Sequence, residues 1–81
     1  MRTAQQTVVE ALAFQLRAGP VALQEPSAIR RIGELSKEQA REIAQRLIKE
    51  RWALDGTRRA PPWPTEGVAE FVALWRRCHD Q

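Results

Sequence analysis

The chain has 81 residues, and its 13 Lys and Arg against 10 Asp and Glu give a net charge of +3 at pH 7. This length accommodates a single domain, residues 1–81, with a thin core, and it excludes a multidomain enzyme. The hydrophobic fraction of 43% and the charged fraction of 28% are typical of a folded globular protein, which excludes a disordered or membrane-embedded class. The lone Cys78 cannot form an internal disulfide, and no apolar run of signal-peptide length follows Met1. We therefore expect a cytoplasmic protein without membrane contact, and the abundance of Ala and Arg over Lys favours a bacterial source.

The first half of the chain predicts two helices. A first helix from Thr3 to Ala18 begins with a capping box formed by Thr3 and Gln6 and ends at Gly19-Pro20. Residues 21–25 are predicted to be a connector. Pro26 then starts a second helix of about two turns, in which apolar residues lie three apart: Ile29, Ile32 and Leu35.

The third helix has the clearest pattern and is predicted from about Lys37 to Trp52. Ser36 and Gln39 have the spacing of a capping box. Glu42 and Arg46 lie four residues apart in the favoured order, which adds about 0.2–0.5 kcal/mol. The apolar residues repeat on one face, so we expect them to be buried: Ala40, Ile43, Ala44, Leu47 and Ile48.

The last part of the chain predicts a turn, an extended segment and a fourth helix. Asp55-Gly56 is typical of a turn, and the prolines of residues 60–64 exclude a helix there. Thr65 starts a helix with an apolar stripe at Val68, Phe71, Val72 and Trp75. The sequence thus predicts an all-α, compact four-helix domain with at most a small β-hairpin near residues 53–60.

Catalytic and metal sites find little support in the composition. One His and one Cys, without a spaced ligand motif, do not make a metal site, and no glycine-rich phosphate loop is present. Cys78 and His79 are adjacent, which on a helix directs them about 100° apart. We expect no enzyme activity, no catalytic residue, no metal and no cofactor.

Residues 28–54 place a short helix, a tight Leu35-Ser36 junction and a longer amphipathic helix in succession. This order resembles the helix-turn-helix core of the winged-helix regulators found among bacterial repressors. The resemblance implies that Asp55-Gly56 and the following Thr57-Arg58-Arg59 form a short wing whose arginines reach phosphates. It also implies that one set of residues holds the two helices against the core: Leu35, Ser36, Ala40, Ile43 or Ala44, Leu47 and Trp52.

Two functions remain open at this point. Residues 30–59 hold nine of the 13 basic residues and five of the acidic ones, a local charge of +4 that favours DNA. The outward face of the third helix argues against DNA, because it carries two carboxylates, Glu38 and Glu42, in the region where such motifs usually contact DNA. Trp63, between prolines, either covers the core or is the exposed anchor of a protein interface.

We favour a small bacterial regulatory protein that binds another protein, namely a transcription regulator, as an antiactivator or adaptor does. The alternative is a DNA-binding helix-turn-helix regulator of transcription that contacts DNA through residues 36–59. In either case we expect a monomer or a weak homodimer. The predicted partner-binding residues are Trp63, Arg58, Arg59, Glu38, Glu42, Gln45 and Lys49, and the predicted DNA-binding residues are Lys37, Arg41, Gln45, Arg46, Arg58 and Arg59.

Overall fold

The computed structural model describes residues 4–49, 53–54, 58–59 and 63–80, with the side chains of residues 7–49 and 63–80. Its helices are α1 (Ala4–Gln15), α2 (Pro26–Gly33), α3 (Lys37–Lys49) and α4 (Thr65–His79). Two short strands, β1 (Ala53–Leu54) and β2 (Arg58–Arg59), pair antiparallel, with Ala53 opposite Arg59. The prediction of a compact, mostly helical domain with four helices is confirmed.

Some predicted features lie outside the described residues or side chains. These are the capping box of Thr3 and Gln6, the core position of Trp52, the turn at Asp55-Gly56, the extended segment of residues 60–62, and the side chains of Arg58 and Arg59.

The segment after α1 differs from the predicted connector. A first 3-10 turn covers Leu16–Ala18, Gly19 reverses the chain at φ 98°, and a second 3-10 helix covers Pro20–Gln24. Glycine permits this positive φ, and Pro20 fixes the φ that a helical start needs. Ala22 and Leu23 are buried in the core, so the segment is a packed element.

α2 and α3 are joined by the short junction of residues 34–36. The capping box at the start of α3 is confirmed in both directions. The Ser36 hydroxyl accepts from the backbone N–H of Gln39 at 3.1 Å, and the Gln39 side-chain oxygen accepts from the N–H of Ser36 at 2.8 Å. These bonds satisfy two backbone donors that the first turn of a helix leaves without an internal partner.

The core is shared by all four helices and the two 3-10 segments. Within it α4 packs against both α2 and α3, whereas α2 and α3 make few direct contacts with each other. Its largest fully buried side chains include Phe71, Ile43 and Leu47. Ile48 was predicted to be buried and is 53% exposed, because the buried stripe of α3 is narrower than the sequence pattern. Among the described residues with assigned burial, the buried core is entirely hydrophobic.

Candidate functional site

A groove of about 650 Å³ lies between the N-terminal half of α3 and the C-terminal half of α4. Both of its walls are helices, so neither wall presents a strand edge. The groove is open to the surface and is lined by apolar residues below and charged residues at its edges: Lys37, Ala40, Arg41, Ala44, Phe71, Val72, Trp75, Arg76 and Asp80.

The floor of the groove is apolar because small residues on α3 face large ones on α4. Ala40 and Ala44 lie one turn apart and project only a methyl group toward the groove. On the other side, Phe71 is fully buried and closes the bottom, while Val72 and Trp75 are half-buried. The two helices therefore leave an apolar depression between them.

The indole of Trp75 is fixed in this floor. Its N–H donates to the carbonyl of Leu35 at 2.9 Å, in the junction between α2 and α3. The imidazole of His79, one turn later on α4, stacks on it with the ring centroids 4.5 Å apart. A half-buried aromatic ring held in this way presents a preformed apolar surface.

The rim of the groove is mainly basic. Lys37 and Arg41 line it from α3, and Arg76 lines it from α4; all three side chains are exposed. Asp80, at the end of α4, is the one acidic residue among those that line the groove. Three cations and one carboxylate give the rim a net charge of +2.

The predicted partner-binding residues on α3 lie outside this groove. Glu38, Glu42, Gln45 and Lys49 are all exposed, as predicted, on the outer side of the helix. Arg46, also in the predicted DNA-binding set, bonds Glu42 at 3.3 Å and lies 4.0 Å from Glu10 of α1. A smaller hollow of about 300 Å³ lies among Glu42, Gln45, Arg46 and Lys49.

The structure divides the predicted DNA-binding residues. Lys37, Arg41 and Gln45 are exposed at intervals of four residues along α3, so they share one line of its surface. Arg46 is engaged with two carboxylates. Arg58 and Arg59 form β2, and their side chains lie outside the description.

Trp63 lies at the other end of α3, away from the groove. Its indole N–H donates to the carbonyl of Leu16 at 3.1 Å, and its backbone N–H donates to the carbonyl of Leu47 at 2.8 Å. The ring is half-buried against the core. This placement favours a role in covering the core over a role as an exposed anchor.

The described cysteine and histidine lie at the end of α4. Cys78 is exposed, as is His79, which stacks on Trp75. Within the described parts of the chain, no three His, Cys, Asp or Glu residues come together as metal ligands would. Nor does any helix described there have the length and apolar character that crossing a bilayer requires.

Comparison with known proteins found no protein-family model, curated protein or solved structure that matches this chain. We therefore assign the site from its geometry alone. The sequence alone did not predict the groove, although Lys37 and Arg41 beside two small residues, Ala40 and Ala44, were a usable signal. What it lacked was the position of α4, which places Trp75 and Arg76 across from them.

Proposed function

We propose that this chain is a small regulatory protein that acts by binding another protein, and that the α3–α4 groove is its principal contact surface. The observation that carries the proposal is an apolar groove floor with a fixed, half-buried Trp75 under a rim that includes two arginines. Tryptophan and arginine are the residue types most enriched among those that dominate binding energy at protein interfaces. Proteins commonly bind ligands at concave, mostly apolar surfaces that carry a few polar groups.

The outer side of α3 extends this surface. Glu38, Glu42, Gln45 and Lys49 are exposed and carry charges of both signs. Mixed charges at the edge of an interface select a partner by complementary pairing and repel wrong partners. In our proposal these residues, with Arg58 and Arg59, form the polar rim of the contact, and Trp63 supports the fold beneath it.

A regulator of transcription remains the kind of partner that we propose. This part of the proposal rests on the order α2, short junction, α3, which is similar to the helix-turn-helix arrangement, and not on the groove. In an antiactivator or adaptor, such a scaffold occupies the surface of a transcription factor and contacts no DNA. Fold alone does not decide between these uses, because function lies in the site.

Site-specific photo-crosslinking in the source cell tests the proposal. Benzoylphenylalanine replaces Arg41, which lines the groove, or Arg77, an exposed arginine of α4 that does not line it. We expect an ultraviolet-dependent adduct with one protein at position 41 and a much weaker adduct at position 77. Equal adducts at both positions, or none at position 41, would contradict the proposal.

Direct DNA binding is the second candidate, and one observation favours it: Lys37, Arg41 and Gln45 lie exposed along one line of α3. A duplex contacted by these residues and by Arg58 and Arg59 would bind more weakly as salt rises, because condensed counterions are released on binding. Fluorescence anisotropy with a DNA duplex at low and physiological salt tests this. DNA affinity that depends on salt and falls in the Arg41→Ala variant would favour the DNA candidate.

A further inference from the structure

We propose that the α3–α4 groove receives an acidic amphipathic helix of the partner protein, an inference that rests on the proposed function and names the partner's binding segment. The floor of the groove supplies apolar contact and the rim supplies positive charge. The occupant that matches both has apolar residues on one face and Asp or Glu beside them.

The shape of the groove favours a helix over an extended peptide. An extended peptide gains affinity by hydrogen bonding to a free strand edge, and the groove walls are helices, which present no strand edge. A helical segment pairs its own backbone and needs only side-chain contact. The two methyl groups of Ala40 and Ala44 leave room for such a helix to approach α3.

The length of the groove limits the occupant to a few turns. From Phe71 to His79 α4 rises about 12 Å, at about 1.5 Å per residue. A partner helix of comparable length places apolar anchors at positions i, i+3 or i+4, and i+7. Trp75 and Val72 are the half-buried apolar side chains that those anchors meet.

The charge of the rim selects an acidic segment. Lys37 and Arg41 stand on one side of the groove and Arg76 stands on the other, so a helix between them is flanked by cations. Asp80 opposes this attraction only at the end of α4. A second copy of this chain, with its net charge of +3, brings no excess of negative charge to the groove.

Binding of labelled synthetic peptides to the full chain tests the inference. The probe is a helix-forming peptide with Leu along one face and Glu elsewhere, measured by fluorescence anisotropy. One control peptide replaces every Glu with Lys, and a second has the acidic composition in scrambled order. We expect the acidic amphipathic peptide to bind at least about tenfold more tightly than either control, since both complementary charge and an aligned apolar face are needed.

Protein variants inside and outside the groove locate the binding. In Arg41→Glu/Arg76→Glu the affinity for the acidic peptide should fall about tenfold or more, because two attractions become repulsions. In Arg77→Glu, which changes an exposed arginine next to Arg76 but outside the groove, affinity should fall less than about threefold, from the long-range change in charge alone. Circular dichroism confirms that each variant retains the helical fold.

Several results would overturn the inference. These are equal binding of the scrambled peptide, equal losses in the two protein variants, or displacement of the peptide by a short DNA duplex at equal or lower concentration. Self-association that blocks the peptide and is lost in Arg41→Glu/Arg76→Glu would show a second copy in the groove instead. If position 41 still crosslinks to a protein in cells while the peptides fail to discriminate, the proposed function stands and only the acidic helix is excluded.

Discussion

The indole N–H of Trp63 donates a hydrogen bond to the backbone carbonyl of Leu16, across 47 residues of sequence. Leu16 belongs to the 3-10 turn that ends the first helical segment, and Trp63 precedes α4. The backbone N–H of the same tryptophan donates to the carbonyl of Leu47, in the last turn of α3, where carbonyls lack a partner within the helix. One residue thus joins three parts of the fold.

Removal of the Trp63 side chain should therefore cost stability. We expect Trp63→Ala to lower the free energy of unfolding by about 2–4 kcal/mol, since a half-buried aromatic ring is lost. Trp63→Phe keeps much of the packing and removes the indole donor to the Leu16 carbonyl, which retains the backbone N–H of Gly19; we expect a cost of about 1 kcal/mol. Urea unfolding measures both changes. A loss below about 0.5 kcal/mol in Trp63→Ala, which is typical of a surface substitution, would show that the ring contributes little to the core.

The capping box of α3 is a second source of stability. Ser36→Ala removes the acceptor for the N–H of Gln39 and should cost about 1 kcal/mol. Gln39→Glu retains a side-chain oxygen that can accept from the N–H of Ser36, so it serves as a control with little change. Thermal and urea unfolding should show a larger loss of stability in Ser36→Ala than in Gln39→Glu. An equal loss of stability in both variants would contradict the reciprocal cap.

Gly67 marks a close approach between α4 and the second 3-10 helix. A Cβ added at Gly67 would lie 2.9 Å from Cγ of Pro20 and 3.3 Å from Cε3 of Trp63, both shorter than ordinary contact. We expect Gly67→Ala to destabilise the protein by about 1–2 kcal/mol through overpacking.

Gly33 supplies the matched control for that substitution. A Cβ at Gly33 would lie 3.6 Å from Sγ of Cys78, an ordinary contact distance. Gly33→Ala should therefore be neutral or stabilise by up to about 1 kcal/mol, because alanine restricts the unfolded chain. Equal losses at both positions, measured by urea unfolding, would exclude the close approach at Gly67 as the cause.

The ion pairs of Arg46 should contribute little. The bond to Glu42 spans 3.3 Å between side chains that are both partly exposed, and the contact with Glu10 is 4.0 Å long. We expect Glu42→Gln to cost about 0.3–0.5 kcal/mol and Glu10→Gln less, because exposed pairs are screened by water and salt. Unfolding measured at low and high salt should show that Glu42→Gln costs less stability at high salt. A cost of this substitution above about 1 kcal/mol at high salt would contradict the expectation.

The sequence predicted the helices because their signals are local. Capping residues and apolar spacing located α3, and Gly19-Pro20 located the end of the first helical segment. The sequence did not predict the burial of Ala22 and Leu23, since a short 3-10 helix has no periodicity to read. The sequence pattern also assigned Ile48 to the core, because apolar spacing alone does not show which edge of a helix's apolar face the neighbouring helix covers.

The exposed charges of α3 were predicted, whereas the groove was not. Glu38 and Lys49 follow from the helical period alone. The groove depends on where α4 packs, which brings Trp75 and Arg76 beside residues more than 30 positions earlier. The junction carbonyl of Leu35 that fixes the indole of Trp75 is likewise a tertiary relationship.

The two described tryptophans show whether the α3–α4 groove is a binding surface. Trp75 lines the groove and Trp63 lies outside it, so their indole N–H signals report on different places. In ¹⁵N-correlated NMR spectra, assigned with Trp75→Phe and Trp63→Phe, the acidic amphipathic peptide should shift the Trp75 indole signal and leave that of Trp63 in place. Peptide binding that leaves the Trp75 signal unmoved, or that shifts the Trp63 signal instead, would exclude the groove as the binding surface.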